Sequence, residues 1–264
     1  MRNFKSLLGE ANLLFVTLDT LRFDAAQTAW REGRLTTLQP YLGDAGWQLR
    51  HTPASFTYAA HHAFFSGFLP TPVSDPSQAR LFAAQFLGST SVDDNTFVFQ
   101  EATLPEALSA NGYKTLCVGG TGFFNLKNEI GSVLPRLFED RVWSEELGVA
   151  CRESAYNQCK VASGWIQENS SCPWFTFINA SAMHQPNWFY DGEDAQDTLA
   201  SHTEALIAFD QALSGVISSI AHTNRPCLCV LCSDHGTAYG EEGYYGHRIG
   251  HSVVWQVPYL EFWL

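Results

Sequence analysis

The sequence has no apolar run long enough to cross a membrane. None of its 264 residues lies in an uninterrupted apolar stretch of the roughly 18 residues that a membrane span needs. The first apolar run, residues 13–18, is also too short for the hydrophobic segment of a secretory signal. These absences predict a cytoplasmic protein without a membrane anchor.

Positive charge is scarce in this chain. Fifteen Lys and Arg stand against 27 Asp and Glu, which gives a formal net charge of −12. This balance argues against a nucleic-acid-binding surface and against binding to an anionic membrane. An anionic substrate would therefore need a local positive charge, and a bound metal ion is the obvious source. The nine His matter for that reason.

The sequence also lacks a disulfide framework. Its seven Cys are an odd number, and three of them share the apolar run at 227–232. This distribution is typical of reduced thiols that pack in a core. Cys229 and Cys232 have the spacing of a metal-binding pair, but positions three apart on a strand face opposite sides. Repeats, low-complexity tracts and linkers are absent too, so we expect a single domain, residues 1–264.

Apolar runs alternate with helical patterns along the chain. This alternation predicts an α/β fold with a mostly parallel central sheet and helices on both faces. The predicted strands are residues 13–18, 113–118, 174–178, 228–232 and 256–260, with 228–232 as the central strand, buried on both faces. The predicted helices are residues 21–31, 58–65, 103–110, 152–167 and 199–221. Residues 69–94 are predicted to form a long loop over the site, and residues 123–147 have no clear pattern.

Polar side chains follow three of the predicted strands. Asp19 follows the first, His184 lies beyond 174–178, and Asp234-His235 ends the run 228–232. Ligands bind beyond the carboxyl ends of parallel strands, and an Asp oxygen beside a His nitrogen suits Zn²⁺ or Mn²⁺. The same Asp-His pair equally fits a turn that places Gly236 at positive φ. A lone His close to a Pro, such as His184, is often structural.

Thr57 directly precedes the helical pattern 58–65. The N-terminus of a helix has unpaired backbone N–H groups and a dipole that favour an anion. Thr57 is therefore placed where a nucleophile would meet a phosphate, although Thr is also a common helix N-cap.

Six segments, taken in chain order, resemble the alkaline phosphatase/sulfatase superfamily. They are VTLDTLRFD at 16–24, the block 57–67, Leu104 with GYKT at 112–115, MHQP at 183–186, FDQALSGVI at 209–217 and SDHG at 233–236. Residues 256–260 resemble the closing strand of that superfamily. The resemblance therefore spans residues 13–264 and implies an alkaline phosphatase-like three-layer α/β/α catalytic domain.

The chain departs from the sulfatase pattern at the nucleophile. Formylglycine sulfatases carry a Cys ten residues before the Gly that ends the block, and here that position, counted from Gly67, holds Thr57. His61 stands where those sulfatases have Arg. The spacing from Asp234 to His247 resembles the branch with a Thr nucleophile, the phosphoethanolamine transferases and lipoteichoic-acid synthases. Those enzymes are membrane-anchored, whereas no anchor is predicted for this chain, so we expect a soluble phosphomonoesterase or phosphodiesterase here.

The resemblance implies that one divalent cation, Zn²⁺ or Mn²⁺, is held by Asp19, Thr57, Asp234 and His235. Thr57 would attack phosphorus and form a covalent phosphothreonine, which water then hydrolyses. This set of three oxygens and one imidazole matches the coordination that either metal accepts.

Four further His are assigned by the same resemblance. His184 and His247 match positions that contact substrate, and either could protonate the leaving oxygen. His61 and His251 are assigned to substrate binding. A second metal is possible but would have His184, His247 and His251 as its only evident ligands, because Ala180 occupies the position where two-metal members carry Asp.

The expected substrate is a phosphate ester, either a small molecule or linked to a peptide. Loops such as 69–100 and 186–198 would select it. A phospho- or phosphodiester-group transferase, or a sulfatase-like enzyme, would use the same site. A catalytically silent binding or scaffold relative is the alternative from another class. The sequence leaves the oligomeric state open.

Overall fold

The structure is a computed structural model that describes residues 3–69, 82–84, 94, 96–192 and 195–264. Its strands are β1 (Asn12–Leu18), β2 (Gln48–His51), β3 (Phe82–Ala84), β4 (Phe97–Phe99), β5 (Lys114–Val118), β6 (Asp140–Val142), β7 (Trp174–Ala180), β8 (Cys227–Cys232), β9 (Ala238–Tyr239), β10 (Tyr245–Gly246) and β11 (Gln256–Trp263). Its α-helices are α1 (Phe23–Arg31), α2 (Gln39–Leu42), α3 (Thr57–Ser66), α4 (Leu104–Ala110), α5 (Ile130–Val133), α6 (Ser154–Glu168), α7 (Leu199–Ala221) and α8 (Ser252–Trp255). Short 3₁₀ turns lie between several of these elements.

Seven strands form the central sheet in the order β2-β11-β8-β1-β7-β5-β6. Strand β1 pairs in parallel with β8 and β7, and β5 pairs in parallel with β7 and β6. Only β11 runs the other way, antiparallel to both β8 and β2. The predicted mostly parallel sheet is thus confirmed, and its reversed strand is the last one.

The middle strand is β1, and the prediction that residues 228–232 form the central strand was wrong. All seven residues of β1 are buried, whereas β8 leaves Leu228 and Val230 partly exposed. On that face β8 borders an open groove of about 390 Å³ that Phe15, Phe64 and Tyr259 also line. The run 228–232 is therefore not buried on both faces along its whole length.

Two apolar clusters lie on opposite faces of the sheet, as the alternation of side chains along a strand requires. Leu14, Val16 and Leu18 of β1 pack with residues of α1, α6 and α7. Leu13 and Phe15 point the other way and pack with residues of α3 and α4. Helices therefore cover both faces, as predicted, and the strand ends are left to meet at the sheet edge.

Helix α7 is long and apolar, and it packs against α6 and α1. Within the described part of the chain it alone has the length and composition of a membrane-crossing helix. Half of its most apolar window is buried in the fold, as expected of a core helix that packs on both neighbours. This helix is weak evidence for a membrane span.

Most predicted elements are present with boundaries shifted by a few residues. The stretch 123–147, which has no clear pattern, contains the edge strand β6 and the short helix α5 between 3₁₀ turns. Most of the predicted loop 69–94 lies outside the described residues.

Candidate metal centre

The order of the strands brings the predicted ligands together. Asp19 directly follows β1, and Asp234-His235 come just after β8. Because β1 and β8 are parallel neighbours in the sheet, these residues lie side by side at its edge. The ligand atoms of these three residues all lie within 4.8 Å of one another. Each of the three is completely buried. No other group of three such ligands occurs in the described ranges.

Thr57 completes the set from the helix side. Its Oγ1 lies 3.4 Å from Asp19 Oδ2 and 3.2 Å from His235 Nε2. Thr57 is the first residue of α3, and the N-cap is Phe56, which makes no side-chain capping bond. Thr57 is therefore not the N-cap of α3, which was the alternative role that its sequence position allowed.

The His235 ring is fixed with one nitrogen toward the carboxylates. Its Nδ1 donates to the carbonyl of Gly236 at 2.9 Å, which leaves the Nε2 lone pair facing Thr57 and Asp234. Metal-bound His in proteins is oriented in this way. Gly236 does not adopt positive φ, contrary to the turn considered above. It is needed because a Cβ there would lie 1.9 Å from the carbonyl oxygen of Val253.

Each carboxylate presents one buried oxygen without a hydrogen-bond partner. Asp19 Oδ2 accepts from Thr121 Oγ1 at 3.1 Å and Asn179 Nδ2 at 3.0 Å, whereas Oδ1 has no partner. Asp234 Oδ1 accepts from the backbone N–H groups of Thr20 and His235, whereas Oδ2 has none. Buried polar atoms of this kind are costly unless something satisfies them.

The two carboxyl groups have opposite pKa shifts. Burial and the charge of Asp19 raise the pKa of Asp234 well above its ordinary value. Burial also acts to raise the pKa of Asp19, but His184, His235 and Asn179 outweigh it and lower that pKa. Two adjacent buried carboxylates are both ionised only when a cation compensates them. The residues therefore fit a divalent cation on two independent observations, the unpartnered oxygens and the paired charges.

Thr20, which follows Asp19 in the chain and bonds to Asp234, has a strained backbone. It has φ of 63°, in the left-handed region that costs a β-branched residue on the order of 1–2 kcal/mol. Its N–H donates to Asp234 Oδ1, and its hydroxyl donates to the carbonyl of Met183. The strain lies directly beside a ligand, where strained backbone is commonly found.

His184 and His247 lie at the open side of the four-residue set. The rings of His247 and His235 are 4.5 Å apart between centroids, and those of His247 and His184 are 6.1 Å apart. His184 Nδ1 donates to the carbonyl of Gln185, so its Nε2 is the nitrogen available to a ligand. Burial lowers the pKa of His247 to about 4. His247 is therefore neutral near pH 7.

The side chains of His61 and His251 both make hydrogen bonds within the protein. His61 is completely buried, with Nδ1 donating to the carbonyl of Thr57 and Nε2 bonded to the hydroxyl of Thr17. His251 caps α8 by accepting from the backbone N–H of Val253. Neither residue is proposed to bind substrate. A second metal held by His184, His247 and His251 gains no support from this arrangement.

Two residues that the sequence analysis missed hold Asp19 in place. Thr121 follows β5 and Asn179 lies near the end of β7, and both donate to Asp19 Oδ2. Asn179 Oδ1 in turn accepts from Thr121. Their positions at or after the carboxyl ends of strands are the feature of the sequence that could have indicated a role at the site.

We predict that Asn179→Ala weakens metal binding. Groups that orient a ligand are typically worth about 10–100-fold in metal affinity, because the freed carboxylate adopts other orientations. Titration calorimetry with Zn²⁺ or Mn²⁺ measures this change. Asn12, a buried Asn at the opposite end of β1 that accepts from the Trp174 N–H, supplies the matched control. Asn12→Ala should lower stability and leave metal affinity unchanged; equal affinities in both variants would contradict the assigned role.

The sequence model of the family described as Sulfatase matches residues 11–263. No curated protein sequence matches the chain. Among solved structures, the C-terminal periplasmic domain of phosphoethanolamine transferase EptC from Campylobacter jejuni has 14% identity and a TM-score of 0.65, covering 97% of this chain and 80% of its own. The corresponding domain of EcEptC from Escherichia coli, in complex with Zn, has 13% identity and a TM-score of 0.62, covering 96% and 73%.

A third similar structure is the lipoteichoic acid synthase LtaP from Listeria monocytogenes. It has 15% identity and a TM-score of 0.59, with 96% of this chain and 65% of that chain covered. Identities this low show a common fold and nothing finer. Two of the three structures are periplasmic domains, so the cytoplasmic location expected from the sequence gains no support from them.

Proposed function

Because this chain belongs to the sulfatase family of the alkaline phosphatase superfamily, we propose that it is a metal-dependent hydrolase of phosphate esters. The whole chain would act as one catalytic domain. The observation that supports this proposal best is the position of the Thr57 hydroxyl, 3.2 Å from His235 Nε2 and 3.4 Å from Asp19 Oδ2 at the start of α3. A nucleophile, a cation site and a helix N-terminus thus meet at one point.

Asp19, Asp234, His235 and Thr57 would hold one divalent cation, Zn²⁺ or Mn²⁺. When bound, the cation supplies positive charge that lowers the pKa of the Thr57 hydroxyl and neutralises phosphate oxygens. Asn179 and Thr121 keep Asp19 oriented for this task. In a protein of net charge −12, this local charge is what lets an anionic ester enter.

Thr57 Oγ1 attacks phosphorus, the bond to the leaving oxygen breaks, and a phosphothreonine forms. In the net step the Thr57 proton moves to the leaving oxygen, and His184, with Nε2 free, delivers it. Water then attacks the phosphothreonine, and its oxygen bonds to phosphorus as the bond to Thr57 breaks. His247, neutral near pH 7 because burial lowers its pKa to about 4, accepts the proton from this water and passes it to the released Thr57 oxygen. The N-terminus of α3 stabilises the equatorial oxygens.

A transferase is the second candidate, because similar structures bear the names phosphoethanolamine transferase and lipoteichoic acid synthase. In that reaction an acceptor alcohol would replace water at the phosphothreonine. Hydrolysis of sulfate esters by the formylglycine route is not proposed, because Thr57 occupies the position of the required Cys. A silent binding module is disfavoured, since a module without catalysis has no need of two unpartnered carboxylate oxygens beside a hydroxyl.

Protein from which metal has been removed with a chelator should regain thermal stability when Zn²⁺ or Mn²⁺ is added, and should then hydrolyse p-nitrophenyl phosphate or its bis ester. Acid quenching during turnover should trap phosphate on Thr57, which peptide mass spectrometry locates. Added alcohols that divert product from free phosphate to a new ester would favour the transferase. Protein that neither binds metal nor cleaves either ester would instead support the binding module.

A further inference from the structure

Arg248 lies beside the segment that leads into Thr57. It follows His247 in the chain, and its backbone N–H donates to the carbonyl of Ser55 at 2.9 Å. Its guanidinium lies over the ring of Phe56, with Cζ 5.2 Å from the centroid. Phe56 is the N-cap of α3 and directly precedes Thr57. The guanidinium is thus held over the side chain that directly precedes Thr57.

The backbone of Arg248 is held in an unfavourable conformation. Its φ of 68° lies in the left-handed region, which a side chain as long as Arg rarely adopts. The hydrogen bond to Ser55 and the contact with Phe56 hold it there. Strain that is enforced in this way is concentrated at ligand-binding positions.

The charge of Arg248 has no counterion among the described residues. Arg22, also close to the strand ends, is by contrast buried between Asp24 and Glu241. Burial is the main cause of the lowered pKa of both His235 and His247, and the positive charge of Arg248 contributes to each.

Depth separates Arg248 from the reacting groups. Thr57 is 3% exposed and the three other ligands are completely buried, so the scissile phosphate must sit at the bottom of the site. Arg248 is exposed and therefore faces the part of the substrate that projects toward solvent. A planar guanidinium held on an aromatic ring is suited to bind a carboxylate or phosphate.

We propose that Arg248 binds a second anionic group of the substrate, outside the scissile phosphate, and so selects esters with anionic leaving groups. This inference rests on the proposed function and adds the substrate class. It separates this chain from an enzyme for phosphoethanolamine esters, because the ammonium of such a group would be repelled by Arg248.

Three monoesters with one skeleton test the selection: 4-carboxyphenyl, phenyl and 4-(aminomethyl)phenyl phosphate. For the wild type we expect kcat/KM to fall in that order. Arg248→Ala should reduce the ratio of the anionic to the neutral ester by about tenfold, mainly through KM, the order expected for loss of one charge-assisted contact. Arg248→Lys should retain part of the preference, and Arg248→Glu should invert it. An unchanged ratio in the alanine and glutamate variants would overturn the proposal.

Arg50→Ala is the matched control. Arg50 is also exposed and its Cζ lies 5.2 Å from the centroid of Tyr259, so the variant removes the same kind of contact at another place. Its ratio should equal that of the wild type. Circular dichroism and the thermal midpoint establish that each variant is folded.

Binding to Thr57→Ala separates failure of this inference from failure of the proposed function. Calorimetry on that variant, with and without Arg248→Ala, measures the affinity for the same three esters without turnover. A preference for the carboxylate that disappears with Arg248 supports the inference even if the wild type releases no phosphate. Equal affinities for all three esters would overturn the inference while leaving the hydrolase proposal in place.

Discussion

Replacing Thr57 by alanine will abolish phosphate-ester turnover, with a loss of kcat on the order of 10⁴-fold or more, the scale seen when a covalent nucleophile is removed. The reason is that the Thr121 hydroxyl, which also lies beside Asp19 Oδ2, is bonded to Asn179 and so cannot take the place of Thr57. Phosphate release from p-nitrophenyl phosphate and its bis ester measures the loss. Elemental analysis must show that the wild type and Thr57→Ala both carry metal, because Thr57 is also a ligand in the proposed set.

Thr57→Ser is the control for this experiment. It keeps the hydroxyl and removes one methyl group, so turnover should survive at a reduced rate. Stability should change little in Thr57→Ala, by about 1 kcal/mol or less, because the hydroxyl does not cap α3 and so provides no capping energy. Turnover by folded, metal-loaded Thr57→Ala within tenfold of the wild type would place the nucleophile elsewhere.

The fold could be predicted because hydrophobic periodicity is a local signal. The strands around Asp19 and Asp234 are short apolar runs with polar ends, and the strand-end rule placed both carboxylates at one edge. The order of the strands could not be predicted in the same way. That β1 is in the middle, and that β11 is reversed beside β8, depends on pairing between distant segments that no local pattern specifies.

The burial of His61 could not be predicted from its spacing to Thr57. It lies one turn after Thr57 on α3, so the sequence places both on the same side of the helix. Whether that side faces substrate or core depends on the packing of α3. In the structure the His61 ring lies among Phe64, Phe124 and Phe177 and stays neutral because burial lowers its pKa to about 4.

Asn179 and Thr121 were missed for a related reason. Asn and Thr occur in many turns and strand ends, so neither residue type is diagnostic alone. Their shared role appears only because β5 lies beside β7 and β7 beside β1. Both then reach the same oxygen of Asp19.

Asp234→Asn should have opposite effects on the metal-free and metal-loaded protein. Burial and Asp19 raise the pKa of Asp234 well above its ordinary value. When the pKa of a carboxyl group is higher in the folded than in the unfolded state, the folded protein loses stability as pH rises from about 4 toward that raised pKa. At pH 7 the metal-free variant escapes this penalty, so its free energy of unfolding should rise by about 1–3 kcal/mol.

With metal the same substitution should be harmful. Wild-type protein gains about 4 kcal/mol when the free metal is 1,000 times its dissociation constant, and the variant should gain almost none at that concentration, because one of the two unpartnered oxygens is lost as an anionic ligand. Urea denaturation with chelator and with Zn²⁺ or Mn²⁺ measures both effects. A variant that is no more stable than wild type without metal, or that retains the full metal increment, would contradict a cation between Asp19 and Asp234.

Asp210→Asn distinguishes this pattern from the general effect of altering a buried carboxylate. Asp210 is completely buried, but both of its oxygens accept backbone N–H bonds, from Thr37 and Leu38 at 2.9 Å each. An Asn amide cannot accept both bonds, so the variant should lose about 1–3 kcal/mol with or without metal. Its metal increment should equal that of the wild type, because Asp210 takes no part in the cation site. Of the two substitutions, only Asp234→Asn should therefore show stabilisation without metal together with loss of the metal response.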